Sequence, residues 1–167
     1  MKWKATYKFP FYRVEAVLAR IFHVIRRIIM AVGFSVGFYW YQVGSGDFLH
    51  SFFSTVAYNL EAKKWGSKYP ILMNEFYQGK LETDKIKTAI IEIKDIQKEL
   101  KKYPVSCIIW DIDDLSKQPP WGDRISEEIT DLSNYFVTSD GEDFITILLH
   151  ALEKAAELNM SIEIESI

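Results

Sequence analysis

Apolar and polar residues follow the most regular pattern of this chain over residues 30–61. Over residues 32–43, every second position carries an apolar side chain: Val32, Phe34, Val36, Phe38 and Trp40. A period of two is typical of a β-strand, and a face of large apolar side chains indicates that the strand lies inside a sheet. We therefore predict one interior strand over residues 32–43.

A helix is predicted directly after this strand. Gly44-Ser45-Gly46 interrupts the alternation, and Ser45 or Asp47 can cap the helix that follows. Its apolar stripe consists of Phe48, Leu49, Phe52, Phe53, Val56 and Leu60. The opposite face carries His50, Ser51, Ser54 and Glu61, which the helical period places toward solvent.

Two further helices are predicted in the middle of the chain. Pro70 suits the first turn of a short helix, and Gly79 is a plausible stop for it. Thr83 and Asp84 open a longer helix that keeps a period of 3.6 through Lys101. The outer face of that helix mixes lysines with acidic residues, which is typical of a solvated surface.

The last third of the chain predicts alternating short elements. Residues 105–110 are apolar on both faces, which favours a second interior strand. A short helix over residues 125–132, a short strand over 135–138 and a helix over 142–158 follow, and residues 161–167 close the chain as a strand near an edge or with one wet face. The fold class is therefore α+β: a single domain with a mixed sheet of about four strands and helices packed mainly on one face.

Composition limits the kinds of site that this chain can carry. Its 167 residues are 49% hydrophobic, which is enough for one core. Cys107 is the single cysteine, so neither an intrachain disulfide nor a multi-cysteine metal site is available.

The net charge of −3 hides a strong asymmetry along the chain. Residues 1–29 hold seven basic residues against Glu15 alone, a net charge of +6. Residues 30–102 hold 10 basic and 8 acidic residues, a net charge of +2, whereas residues 103–167 hold 3 basic and 14 acidic residues, a net charge of −11. Such a concentration of negative charge opposes nucleic-acid binding and favours a basic protein partner or a metal ion.

Residues 1–29 form a basic amphipathic extension with three interpretations. Arg13, Arg20 and Arg27 recur every seven positions, as in a helix that lies on an anionic membrane. The run without charge over residues 28–46 is long enough for a signal anchor, although its alternation is that of a strand. In the third interpretation Met30 is the true start. The codons of Arg26-Arg27 can form a bacterial ribosome-binding sequence, and the two isoleucine codons then separate it from the start codon.

The catalytic motifs in this sequence are weak. Asp111 and Asp113 have the spacing of carboxylates that bind magnesium in phosphoryl-transfer enzymes, so a metal-dependent phosphohydrolase is one alternative function. A membrane-associated protein held by its N-terminal helix is the other. The residues after Asp113 do not continue a phosphatase signature, and a solvated acidic loop is the better interpretation. His50 and His150 have no metal-ligand spacing. We therefore predict no catalytic residue, no metal and no cofactor.

Three blocks of the sequence resemble the immunity protein 70 family of bacterial polymorphic toxin systems. They are VGFYWYQVGSGDFLHSFFSTVAYNLE, GSKYPILMNEFYQGKL and WDIDDLSKQPPWGDRISEEITDLSNYFVTSDGEDF. The resemblance covers residues 30 to about 158, which places an immunity-protein-like α+β domain at residues 30–167. It implies a non-enzymatic protein that binds a cognate toxin in the cytoplasm and blocks it. Membrane contact is then expected only if residues 1–29 are native.

The acidic loop is the predicted partner-binding site. A toxin that cleaves nucleic acid often has a basic cleft, so an acidic surface can accelerate association with it. The candidates for this steering are Asp111, Asp113, Asp114, Asp123, Glu127 and Glu128. Trp121 is the predicted aromatic anchor, because buried tryptophans often dominate the binding energy of an interface.

Overall fold

The computed structural model of this protein describes residues 31–122 and 124–167. Within these residues the chain forms four strands and three α-helices, joined by turns and short 3₁₀ or π segments. The predictions for residues 1–29, including the membrane interpretations and the alternative start, lie outside the described residues. Asp123 of the predicted partner-binding site lies outside them as well.

A β-hairpin opens the described part of the chain. Strand β1 (Val32–Val36) and strand β2 (Tyr39–Gly44) pair antiparallel across a two-residue loop. Gly37 begins that loop with a φ of 57°, a conformation that such loops need and that glycine adopts without strain. The prediction of one continuous strand over residues 32–43 is therefore wrong. The reversal places Phe38 at the exposed tip of the hairpin and not on the buried face.

The four strands form one sheet in the order β2-β1-β4-β3. Strand β3 (Lys80–Leu81) and strand β1 flank strand β4 (Ile162–Ser166), and all pairings are antiparallel, not mixed. Strand β1 is interior as predicted, whereas β4 is also interior and does not form an edge. The wet face predicted for β4 is present, because half-buried Glu163 follows fully buried Ile162.

Three helices pack with the sheet: two lie directly on its strands, and the third lies on the other two helices. The three helices are α1 (Gly46–Leu60), α2 (Ile86–Leu100) and α3 (Phe144–Leu158). The core between them is aromatic: the ring of Phe34 from β1 lies 5.3 Å from that of Phe76 and 6.0 Å from that of Phe144. The predicted α+β class is confirmed.

The predicted helix starts and stops in the middle of the chain are largely confirmed. Ser45 caps α1 by accepting a hydrogen bond from the Phe48 amide at 3.1 Å. Pro70 precedes a π turn over Ile71–Glu75, and the 3₁₀ turn that follows ends at Gly79, whose φ is 119°. Proline and glycine thus act here through the backbone angles that each one favours.

Residues 105–110 do not form the predicted interior strand. A 3₁₀ turn over Val105–Cys107 is followed by an extended segment that lies along α1. Thr55 accepts a hydrogen bond from the Ile109 amide and donates one to the Ile109 carbonyl, each at 3.1 Å. Ser51 donates to the same carbonyl at 3.0 Å, and Ser54 accepts from the Ile112 amide at 3.2 Å. Hydroxyl groups of a helix therefore supply the partners that a neighbouring strand would supply.

The connection between this segment and α3 is also less regular than predicted. Residues 125–132 form turns and not a helix, and residues 135–138 contribute only a single bridge between Val137 and Asp143. Asp143 then caps α3 by accepting from the Thr146 amide at 2.7 Å. The helix predicted over residues 142–158 is confirmed.

In the turns before α2, the carboxylates of two buried glutamates accept hydrogen bonds from backbone amides. Glu61 is 4% exposed, and its carboxylate accepts hydrogen bonds from the amides of Gly66, Lys68 and Tyr69 at 2.7 to 2.9 Å. The carboxylate of Glu92 on α2 accepts from the amides of Ile71 and Leu72. Burial raises the pKa of Glu92, because a charged carboxylate is poorly solvated there. The placement of Glu61 toward solvent was therefore wrong.

Candidate functional site

Asp111 is held from three sides where the extended segment leaves α1. Lys117 donates to one of its carboxylate oxygens at 2.6 Å, and the amide of Asp113 donates to the other at 2.9 Å. His50 Nε2 lies 3.4 Å from that second oxygen. The hydrogen bond from Lys117 contributes most to lowering the pKa of Asp111 to about 2. Asp111 is therefore a neutralised anchor of the loop and not a free surface charge.

The next two aspartates differ in how much of their charge is available. Asp113 is exposed, and within residues 31–122 and 124–167 its carboxylate has no hydrogen bond or ion pair. Asp114 is exposed too, but it accepts from the hydroxyl of Ser116 at 2.6 Å and from the amide of that serine at 3.2 Å. The hydrogen bonds from Ser116 lower the pKa of Asp114.

An aromatic cavity of about 580 Å³ lies beside Asp113. His50 contributes to its wall, where His50 Nδ1 lies 2.7 Å from the Tyr77 hydroxyl oxygen and the imidazole stacks on Trp65 with ring centroids 6.2 Å apart. Its lining residues are His50, Tyr58, Lys63, Trp65, Tyr77, Gln78, Ile112, Asp113 and Leu115. The sequence interpretation missed this cavity. The one local hint was the polar face of α1, on which His50, Ser54 and Tyr58 recur every four residues.

The same corner contains the residues that could hold a cation. His50, Asp111 and Asp113 each offer one ligand atom, and these atoms lie within 4.8 Å of one another. Lys117 already occupies one oxygen of Asp111. The phosphohydrolase interpretation placed Asp111 and Asp113 at the end of a strand, but the described chain places them after an irregular extended segment.

Trp121 belongs to an aromatic group that is only partly covered. Its indole N–H donates to the Tyr135 hydroxyl at 3.0 Å, and its ring meets Trp110 edge to face with centroids 5.3 Å apart. The side chain remains 38% exposed and lines a shallow groove with Ile125 and Ile129. This geometry fixes the indole in one orientation and leaves apolar area for a partner.

Glu127 and Glu128 lie in the turn near this groove, and both are exposed. In the described part of the chain neither carboxylate has an ion pair or hydrogen bond. The turn itself is ordered by Asn134, whose side-chain amide donates to the Glu128 carbonyl at 3.0 Å. Both negative charges are therefore available to a partner.

The predicted site thus divides into two neighbouring parts. Asp113 lines the aromatic cavity beside α1, and Asp111 pairs with His50 of its wall, whereas Trp121 lines the groove. The edge-to-face contact between Trp110 and Trp121 links the two parts. Free carboxylates next to fixed aromatic rings suit the attraction and anchoring of a cationic protein surface.

Comparison with known families gives one finding. The model of the family described as immunity protein 70 matches residues 34–164, which is most of the chain. No curated protein and no solved structure gives a match. Among the helices of residues 31–122 and 124–167, none combines the length and apolar character needed to cross a bilayer.

Proposed function

Because the chain belongs to the immunity protein 70 family, we propose that it binds a cognate toxin of a bacterial polymorphic toxin system and blocks that toxin. The observation that carries this proposal is the family match over residues 34–164, which confirms the resemblance seen in the sequence. In this proposal the protein acts in the cytoplasm of the producing cell by occupying the toxin surface, and it catalyses no reaction.

The charge distribution supports a basic partner surface. The net charge of −11 over residues 103–167 includes three exposed carboxylates without a cationic partner in the described chain: Asp113, Glu127 and Glu128. Asp114 adds a charge stabilised by Ser116. Asp123 belongs to the same acidic stretch of sequence. Such a surface attracts a basic toxin over several ångströms before contact.

Two other residues have different parts in the proposed interface. Asp111 holds the loop that presents Asp113, because its carboxylate accepts from the Asp113 amide. Trp121 is the proposed anchor, since its exposed part lies at a groove and its indole orientation is fixed by Tyr135. Burying a fixed aromatic side chain costs little conformational entropy.

The first experiment is protection from the toxin. The toxin domain encoded beside this gene would be expressed in a bacterial host with and without this protein, and colony survival would be counted. We expect survival only with the protein, and purified toxin should bind it directly. Death of the host despite normal expression of the protein, together with absence of binding, would contradict the proposal.

The second experiment tests the surface by binding kinetics. A variant with Asp113→Asn, Glu127→Gln and Glu128→Gln should associate with the toxin about tenfold more slowly at low salt, with a smaller loss at high salt. The matched control carries Glu153→Gln, Glu157→Gln and Glu163→Gln, which remove the same charge from α3 and β4. Equal slowing of both variants would show that net charge, and not this surface, steers association.

Trp121→Ala tests the proposed anchor in the same measurement. We expect dissociation to become at least about tenfold faster while association changes little, because the lost contacts form only in the bound complex. Phe38→Ala is the control, since it removes an exposed aromatic ring at the tip of the hairpin that does not line the groove. A dissociation rate unchanged by Trp121→Ala would remove this residue from the interface.

A further inference from the structure

The cavity beside Asp113 has the composition of a site for an organic cation. Tyr58, Trp65 and Tyr77 contribute aromatic rings to its lining, and Asp113 contributes a carboxylate. Aromatic faces attract cations through the ring quadrupole, and the attraction adds to that of a nearby negative charge. An apolar ligand would leave this charge uncompensated.

The carboxylate of Asp113 is the charge available to such a ligand. Asp111 is neutralised by Lys117, and Asp114 is engaged by Ser116, whereas Asp113 has no side-chain partner in residues 31–122 and 124–167. Its backbone amide is held by Asp111 at 2.9 Å, which fixes the course of the chain at the cavity. The cavity therefore has one free negative charge in a held position.

One wall of the cavity already binds a cation of the protein itself. The ammonium nitrogen of Lys63 lies 4.5 Å from the centroid of the Tyr58 ring. Lys63 is exposed and can therefore move away when another cation arrives. A ligand cation would compete with this ammonium group for the Tyr58 ring. Removing the ammonium group should therefore strengthen the binding of the ligand.

The remaining aromatic walls are fixed before any ligand binds. The Trp65 indole donates to the Met73 carbonyl at 2.8 Å, and its ring meets Tyr77 at a centroid distance of 5.0 Å. The Tyr77 hydroxyl is hydrogen-bonded to His50. Rings fixed in this way lose little conformational entropy on binding.

We propose that this cavity takes the guanidinium group of an arginine side chain of the toxin, an inference that rests on the proposed function. A guanidinium is planar, so it can stack on a ring while it donates two hydrogen bonds to a carboxylate. The compact and strongly hydrated ammonium of lysine does both less well. The cavity thus defines a point of specificity within the acidic surface.

The direct test uses blocked arginine, N-acetyl-arginine methylamide, and not the toxin. The full-length protein would be titrated in low salt with a chelator present, and the indole N–H resonance of Trp65 would be followed by NMR. The Trp65→Phe variant identifies that resonance. We expect a saturable shift at millimolar concentration with blocked arginine and about fivefold weaker binding of blocked citrulline, its neutral isostere.

Two pairs of matched variants show whether the cation contacts the proposed groups. Asp113→Asn should abolish the preference for arginine over citrulline, whereas Asp114→Asn, with the same change of charge one residue away, should keep it. Lys63→Met should tighten arginine binding about twofold to fivefold by removing the competing ammonium, whereas Lys64→Met should do less. Equal binding of arginine and citrulline, or equal effects of the two aspartate variants, would overturn the inference.

The toxin then separates this inference from the proposed function. Asp113→Asn should weaken toxin binding more than Asp114→Asn does. A toxin that binds both variants equally well would refute the arginine site and leave the immunity role intact. A toxin that does not bind the wild-type protein would refute the proposed function, while the titration with blocked arginine still decides whether the cavity binds a guanidinium.

Discussion

The connection after α1 and the acidic loop after residue 110 use carboxylates in opposite ways. Glu61 and Glu92 point inward, where five backbone amides donate to them. Asp113, Glu127 and Glu128 point outward and have no side-chain partner in the described chain. The carboxylates of the first region order irregular backbone, whereas those of the second remain exposed to solvent.

This difference shows that acidic residues cannot be assigned to function by charge alone. A buried carboxylate that accepts several amide hydrogen bonds is costly to remove, because each amide loses its partner. An exposed carboxylate contributes little to folding but acts over a distance on another charged molecule. Asp111 lies between these two cases, since it is half-buried and paired with Lys117 but borders the acidic loop.

Glu61→Ala should have the largest effect on stability. It leaves the amides of Gly66, Lys68 and Tyr69 without an acceptor, so we expect the free energy of unfolding to fall by about 3–5 kcal/mol. Urea unfolding followed by circular dichroism measures this change. Glu127→Ala is the control, because that side chain is exposed and has no partner in the described residues. Similar losses in the two variants would show that the buried carboxylate contributes no more to stability than an exposed one.

Two of the errors in the fold predicted from the sequence share one physical cause. Residues 105–110 were predicted as a strand because both faces are apolar, and Ser51 and Ser54 were predicted to face solvent because they lie opposite the apolar stripe of α1. In the structure these hydroxyls and Thr55 are fully buried and bind the extended segment. The strand prediction was wrong because the segment pairs with these hydroxyls and not with another strand. The solvent-facing prediction was wrong because the hydroxyls pair with the segment and not with water. A pairing between helix side chains and a distant backbone leaves no periodic pattern.

The helices and the last strand were predictable because their apolar positions recur with one period. Helix α2 keeps that period from Ile86 to Leu100, and no long-range partner is needed to recognise it. The hairpin was missed because the alternation of apolar residues continues through its two-residue loop. In the structure Trp40 lies over Gly33, on the face of the sheet opposite Phe34. A glycine at position 37 was the one local indication of a turn.

The site was predictable in part for similar reasons. The acidic run from Asp111 is visible in the sequence as a local feature. The cavity beside it is not, because His50, Trp65 and Tyr77 come from three separate elements and meet only after folding. Aromatic residues at these positions are equally compatible with a buried core.

Thr55→Val should have the second-largest effect on stability. It tests whether hydroxyl groups of α1 hold the extended segment as a neighbouring strand would. The variant keeps the shape of the side chain but removes both hydrogen bonds to Ile109, so we expect a loss of about 1–3 kcal/mol in the free energy of unfolding. Hydrogen exchange should also become faster at the Ile109 amide. Thr88→Val on the exposed face of α2 is the matched control. Unchanged exchange at Ile109 would mean that the segment is held by its apolar side chains alone.

Lys117→Met should have a smaller effect on stability, and this effect should be visible in how stability depends on pH. The pKa of Asp111 is about 2 against an ordinary value of 3.8, mainly because Lys117 donates to its carboxylate. The stability that this pair contributes is therefore present above pH 3.8 and is lost as the pH falls through about 2. NMR titration of the carboxyl carbon should show the pKa of Asp111 rising toward 3.8 in the variant. A pKa that stays near 2 would assign the shift to the Asp113 amide and His50 instead.

Glu127→Gln combined with Glu128→Gln should have the smallest effect on folding. Both side chains are exposed and lack partners in the described residues, so the midpoint of urea unfolding should stay within experimental error. Association with the toxin should nevertheless slow at low salt, because two charges of the proposed interface are lost. Glu92→Gln is the comparison, and we expect it to lower stability. The amide nitrogen of the new glutamine cannot accept a hydrogen bond, so one of the two amides, of Ile71 or Leu72, loses its acceptor. A clear loss of stability in the double variant would show that these two carboxylates support the fold, as Glu61 and Glu92 do, and would remove them from the proposed interface.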